Sequence, residues 1–111
     1  MSLTYNRYSQ GEDGPEPHIH REHSDCWWIL SGTLTFEVAG ERVELGAGQF
    51  ILVPPNVVHT FRNEHEEDAF FLNFHVPDKG FADNLRGTSE GFDSFDPPTD
   101  GGRPFSDVVI G

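Results

Sequence analysis

The chain has 111 residues, enough for one hydrophobic core and too few for two. Its 19 acidic residues against 7 basic ones leave a formal charge of -12, a balance that repels nucleic-acid phosphates and anionic membranes. The single cysteine, Cys26, excludes an internal disulfide, no apolar run reaches the roughly 18 residues of a membrane helix, and "MSLTYNRYSQ" lacks the basic and apolar regions of a secretory signal. A reducing cytoplasm is the expected setting.

Turn formers are frequent and scattered, 12 Gly and 8 Pro, which points to short strands instead of helices. A first strand carries Arg7, the one base placed to reach an interior cavity. His18 and His20 follow, and on extended backbone residues two apart point to the same side, about 7 Å apart. "REHS" leaves room for a polar turn, with His23 solvated, before Asp25 opens a returning strand whose phase it shares with Trp27 and Ile29. Cys26 and Trp28 lie in the opposite phase, Cys26 as a small packing residue and Trp28 toward a subunit interface. "TLTFEVAGERVEL" alternates, with Leu34, Phe36 and Val38 on one face and Thr33, Thr35 and Glu37 on the other. Ala39-Gly40-Glu41 then turns the chain, and Val43 and Leu45 complete a hairpin with one buried face.

"GAGQFILVPP" is a Gly-bounded apolar strand stopped by Pro54 and Pro55, and "VVHTFRN" is a strand with His59, Phe61 and Asn63 in one phase. The acidic "NEHEED" forms a solvated turn that includes His65, and "AFFLNFHVP" is a strand with Phe71, Asn73 and His75 in phase. "KGFADNLRG" is the one short helix. From Thr88 the composition shifts to Asp, Gly, Pro and Ser, which cannot pack alone. Residues 1–87 therefore read as the domain, and 88–111 as an extended tail laid on it or on a partner subunit by Phe92, Phe95, Phe105 and the closing "VVI".

Neutral imidazoles on rigid strands, joined by one carboxylate, suit a divalent transition metal with open coordination positions. His18, His20 and His59, with Asp25, are the candidate ligands. The order and spacing of these residues resemble the small single-domain cupins. Their first motif is matched by Gly14, His18, His20, Asp25 after "REHS", and Gly32 after "CWWILS". The second is matched by Gly48, "QFILV", Pro54, Pro55, Asn56, "VV", His59, "TFR" and Asn63, with 15 residues between Gly32 and Gly48. Asp25 stands where that family has Glu, Asn56 stands where it has a turn Gly, and the gap from Gly14 to His18 is short. Asn tolerates a positive φ better than other non-Gly residues.

The resemblance implies an all-β jelly roll of two antiparallel sheets and a homodimer formed through edge strands and tails. It also implies one divalent metal per chain, whether iron, nickel, manganese, copper or zinc. Asp25 serves as a ligand or, if it does not ligate, as a general base. Strand phase adds Trp27, Ile29, Phe36, Ile51 and Phe61, with Asn73 and His75 near the mouth, as the lining of a cavity for a small neutral or aromatic molecule. Arg42 and Arg62 point outward, so the cations that a sugar phosphate needs are lacking. The expected function is a metal-dependent, dioxygenase-like enzyme. The alternatives are a metal-dependent isomerase or lyase and a non-catalytic small-molecule-binding barrel.

Overall fold

Alternation decides which face of each strand is buried. In the computed structural model, which describes residues 1–78 and 92–111, the pattern produces eight strands. They are β1 (Ser2–Tyr8), β2 (Ser24–Ser31), β3 (Thr33–Val38), β4 (Glu41–Gly46), β5 (Phe50–Val53), β6 (His59–Arg62), β7 (Ala69–Val76) and β8 (Val109–Ile110), with a 3₁₀ turn at Phe105–Asp107. The strands form two antiparallel sheets, β1-β7-β2-β5-β8 and β4-β3-β6. Their inner faces share one core. Trp27, Ile29, Ile51 and Phe71 come from the first sheet and Leu34, Phe36, Val38 and Leu45 from the second, all of them at most 1% exposed. The all-β jelly roll expected from the sequence is the observed fold.

Two backbone positions explain why the chain bends where it does. Gly32 joins β2 to β3 and so carries the chain from one sheet to the other, at φ +77°. A Cβ there would overlap the carbonyl oxygen of Asp68 and fall 2.8 Å from Ala69 Cα, so only glycine fits the corner. The β3–β4 hairpin turns on Ala39 (φ 48°) and Gly40 (φ 82°), a two-residue loop with both central φ values positive.

The tail does more than cover a surface. Val109 and Ile110 add β8 to the edge of β5, opposite Leu52 and Ile51, and Phe105 and Val108 pack against the core. A two-residue strand carries no alternation of its own, which is why the sequence shows only a tail there. The expected helix at "KGFADNLRG" and the boundary at residue 87 fall outside the described residues, except for the tail from residue 92 onward.

Candidate metal centre

His18 and His20 sit on a short extended segment between β1 and β2, clamped on both sides. His18 exchanges both backbone hydrogen bonds with His59 at the start of β6, at 3.1 and 3.0 Å. The carbonyl of His20 accepts from the Asn56 N–H at 2.7 Å. Asn56 stands at φ 66°, the left-handed position that sequence comparison with the turn Gly requires. The Pro54-Pro55-Asn56 turn thus pins the segment that presents the two histidines. Asp25 enters from β2, 4% exposed, beside His75 and Val53 in register.

Ring orientation follows from hydrogen bonds on the far side of each imidazole. Nδ1 of His18 donates to the Glu16 carbonyl at 2.8 Å, Nδ1 of His20 to the Asp93 carbonyl at 2.6 Å, and Nδ1 of His59 to the Val57 carbonyl at 2.9 Å. A carbonyl only accepts, so each neutral ring carries its proton on Nδ1 and a lone pair on Nε2. His20 Nε2 lies 3.0 Å and His59 Nε2 lies 3.2 Å from Asp25 Oδ2. Lone pairs facing a carboxylate oxygen at that range repel unless a ring proton or a metal cation sits between them. Two ligands each about 2.1 Å from one ion are separated by roughly 3.0–3.4 Å at octahedral to tetrahedral angles, the spacing seen here. The ligating atoms of His18, His20, Asp25 and His59 all lie within 4.8 Å of one another. The donor set therefore fits a divalent metal.

Without a metal ion the same place is open to ring protons. Burial alone would raise the Asp25 carboxyl, but hydrogen bonds donated to it from Nε2 of His20 and His59 outweigh burial and hold it well below the usual carboxylate range. Burial pushes His18 down to about 4, aided by His59, and pushes His75 down to about 4 as well. Both rings are then neutral near pH 7. In the unfolded chain they take protons near 6.5, so between those values the unfolded chain binds more protons and stability falls as pH drops. The urea midpoint of metal-free protein is expected to decline steadily from pH 6.5 to 4. A level or rising midpoint would contradict burial of these rings in the neutral state.

His23 corrects the expectation of a solvated turn. It is 1% exposed, with Nδ1 2.8 Å from Asp93 Oδ2 and Nε2 2.7 Å from His75 Nδ1. His75 reaches Asn73 Oδ1 at 3.0 Å, and Asn73 Nδ2 donates to Asp25 Oδ1 at 2.7 Å and to the Cys26 carbonyl at 2.9 Å. Asp93 and His23 are the residues that sequence reasoning missed. His65 remains part-exposed, 3.6 Å from Glu44. Cys26 is buried, and its thiol is pushed up to about 12 by burial and by Asp25, as a packing residue should be.

His18, His20 and Asp25 floor a cavity of about 350 Å³, a size suited to a small molecule, whose remaining walls are mostly aromatic. Trp27, Phe61, Asn73 and His75 line it. Phe36 and Ile51 do not; both are fully buried one layer deeper, Phe36 edge-on to Trp27 at 5.2 Å. Ile29 also lies in the core. Asn6 and Tyr8 of β1, with Phe71 and Phe92, complete the wall. Tyr8 stacks on Phe61 at 5.1 Å, and burial followed by Glu12 pushes its hydroxyl up to about 12. Arg7 is the second correction. Asn6 and Tyr8 take the inward phase, so Arg7 points out, 65% exposed and 4.0 Å from Asp68. Among the described residues no Lys or Arg lines the cavity.

Residues 5–75 match the family described as the cupin domain. The chain belongs to the cupin family. Quercetin 2,3-dioxygenase of Bacillus subtilis is 34% identical over 56 residues, 49% of this chain and 17% of that protein. An uncharacterized Aquifex aeolicus protein is 31% identical over 58 residues, 52% of this chain and 48% of its own length. The cupin chain thus spans less than half the length of these curated relatives. A crystallised cupin protein from Bacteroides fragilis superposes with a TM-score of 0.63 at 24% identity, covering 81% of this chain and 70% of that one. Salicylate 1,2-dioxygenase from Pseudoaminobacter salicylatoxidans gives a TM-score of 0.61 at 15% identity, covering 76% and 24%. These structural likenesses carry the fold. No helix among the described residues is long and apolar enough to cross a membrane.

Proposed function

We propose that this cupin binds one divalent transition metal through His18, His20, Asp25 and His59 and acts as a dioxygenase-like enzyme on a small neutral or aromatic molecule. The observation that carries the reading is the convergence of Nε2 lone pairs on Asp25 Oδ2 at the floor of an aromatic cavity. The similarity to a quercetin dioxygenase over 56 residues supports it. Iron, nickel, manganese, copper and zinc all accept this donor set. When bound, such an ion supplies a Lewis-acid site for a substrate oxygen and, if redox-active, a site for O₂.

The chain's own groups do the rest. Asp25, with its low proton affinity, is better suited to hold a cation than to accept a proton as a base. Tyr8, Trp27 and Phe61 offer flat apolar surfaces that position an aromatic ring, and Asn6 lends polarity at one wall. The absence of a lining cation among the described residues weighs against a phosphorylated substrate, and so against a sugar-phosphate isomerase.

Oxygen uptake by metal-loaded protein, screened over phenols and enols, tests the reading. Substrate-dependent uptake that disappears with the metal is expected. Tight ligand binding indifferent to metal, with no uptake, would favour the non-catalytic binding barrel.

We also propose a homodimer, formed through the outer face of the five-stranded sheet. Register places Leu3, Phe74, Cys26, Leu52 and Val109 in one row across five strands, with Tyr5, Leu72, Trp28 and Phe50 in the next. Leu3 is 51%, Tyr5 64% and Trp28 47% exposed. Such a face spans roughly 24 by 20 Å, the same order as the ~800 Å² each partner contributes to a standard interface. A second copy fits because this face is almost free of charge, whereas the rest of a -12 chain repels its like. Trp28→Glu is expected to weaken the dimer about thirtyfold or more, read by light scattering across a dilution series. A wild-type monomer at every concentration would rule out this interface.

A further inference from the structure

The tail returns to the site at one residue. Ile19 and Phe95 exchange backbone hydrogen bonds at 2.9 Å in both directions, which sets Asp93 against the turn between His20 and Asp25. Asp93 is 6% exposed and receives hydrogen bonds from residues 70 to 73 positions earlier. Its backbone carbonyl accepts from His20 Nδ1, as described above. Its carboxylate accepts from the Arg21 N–H at 3.0 and 3.1 Å, from the Glu22 N–H at 2.7 Å and from His23 Nδ1 at 2.8 Å.

We infer that Asp93 is a positioning residue of the metal centre, holding His20 directly and Asp25 through His23, His75 and Asn73. This inference rests on the proposed ligand set. Asp93 needs no contact with the ion to act. Its carboxylate gathers the N–H groups of the turn that precedes Asp25, and that grip fixes where its own carbonyl meets the His20 ring. The opposite end of the same hydrogen-bonded path holds Asp25 Oδ1, so that Oδ2 faces His20 and His59. Two ligands from different elements are thereby aimed by one residue of the C-terminal segment. Partners that orient a ligating imidazole or carboxylate are worth about 10–100-fold in metal affinity.

Cobalt(II) titration of the full chain, followed by visible absorption, tests the idea, with thermal unfolding of metal-free protein as the measure of folding. Asp93→Ala is expected to raise the cobalt dissociation constant about 10–100-fold and to shift the d–d bands, because the ligand geometry changes. Asp93→Asn keeps an acceptor oxygen for the turn and is expected to recover part of that loss. His23→Gln interrupts only the path to Asp25, and a loss of about tenfold or less is expected, with a band shift of its own. Variants that melt earlier yet keep the wild-type dissociation constant and spectrum would overturn the inference, leaving Asp93 as a structural tie. Failure of wild-type protein to bind cobalt would instead overturn the ligand set, and this inference with it.

Discussion

His59→Ala is expected to abolish stoichiometric metal binding. A set of four ligands that binds a divalent ion with 10–16 kcal/mol contributes about 3 kcal/mol per ligand, so losing one costs roughly a hundredfold or more in affinity. His59 is also rigidly presented: it is 1% exposed, its Nδ1 is tied to the Val57 carbonyl, and its partner His18 is fixed to it by both backbone bonds. Asp25→Ala is expected to weaken binding less, because three imidazoles remain, a set that holds zinc in catalytic sites. Calorimetric titration with nickel separates the two. Full retention of metal by His59→Ala would sink the proposed constellation.

The second large effect is one of stability. Gly32→Ala places a methyl group in the sheet-to-sheet corner, where it meets the Asp68 carbonyl and Ala69 Cα. The left-handed backbone alone costs a non-glycine residue about 1–2 kcal/mol, and displacing the β6–β7 connection brings the total to about 3 kcal/mol or more. Gly40→Ala is the matched control, at φ +82° with nothing within 4 Å of the added carbon, so it carries only the conformational cost. At about 4 °C per kcal/mol for a chain of this size, thermal unfolding should fall by roughly 5 °C for Gly40→Ala and by more than about 12 °C for Gly32→Ala. Equal shifts would mean that the corner has room for a side chain.

Much of this architecture is legible in the sequence because it is encoded locally. Leu34, Phe36 and Val38 alternate with polar neighbours, and all three are buried as that alternation demands. The candidate ligands are legible for the same reason, since His18 and His20 need only extended backbone to face one side. Periodicity gives the face of a strand but not the depth behind it. Phe36 and Ile51 therefore look like cavity lining and prove to be core behind Trp27, while Tyr8 and Phe71 form the wall. His23 was illegible because "REHS" is polar and turn-like. What buries it is Asp93, 70 residues later, in a segment whose local composition reads only as a tail. Arg7 looked inward until the β1–β7 register put Asn6 and Tyr8 there instead.

The metal content of untagged protein, purified without added metal or chelator and measured by mass spectrometry beside a His18/His20/His59 triple-alanine variant, bears most directly on the central claim. Near-stoichiometric transition metal in the wild type and none in the variant is the predicted result. A wild-type chain that carries no metal and refuses it when offered would contradict the account and leave Asp25 and the three histidines as a metal-free hydrogen-bonded cluster.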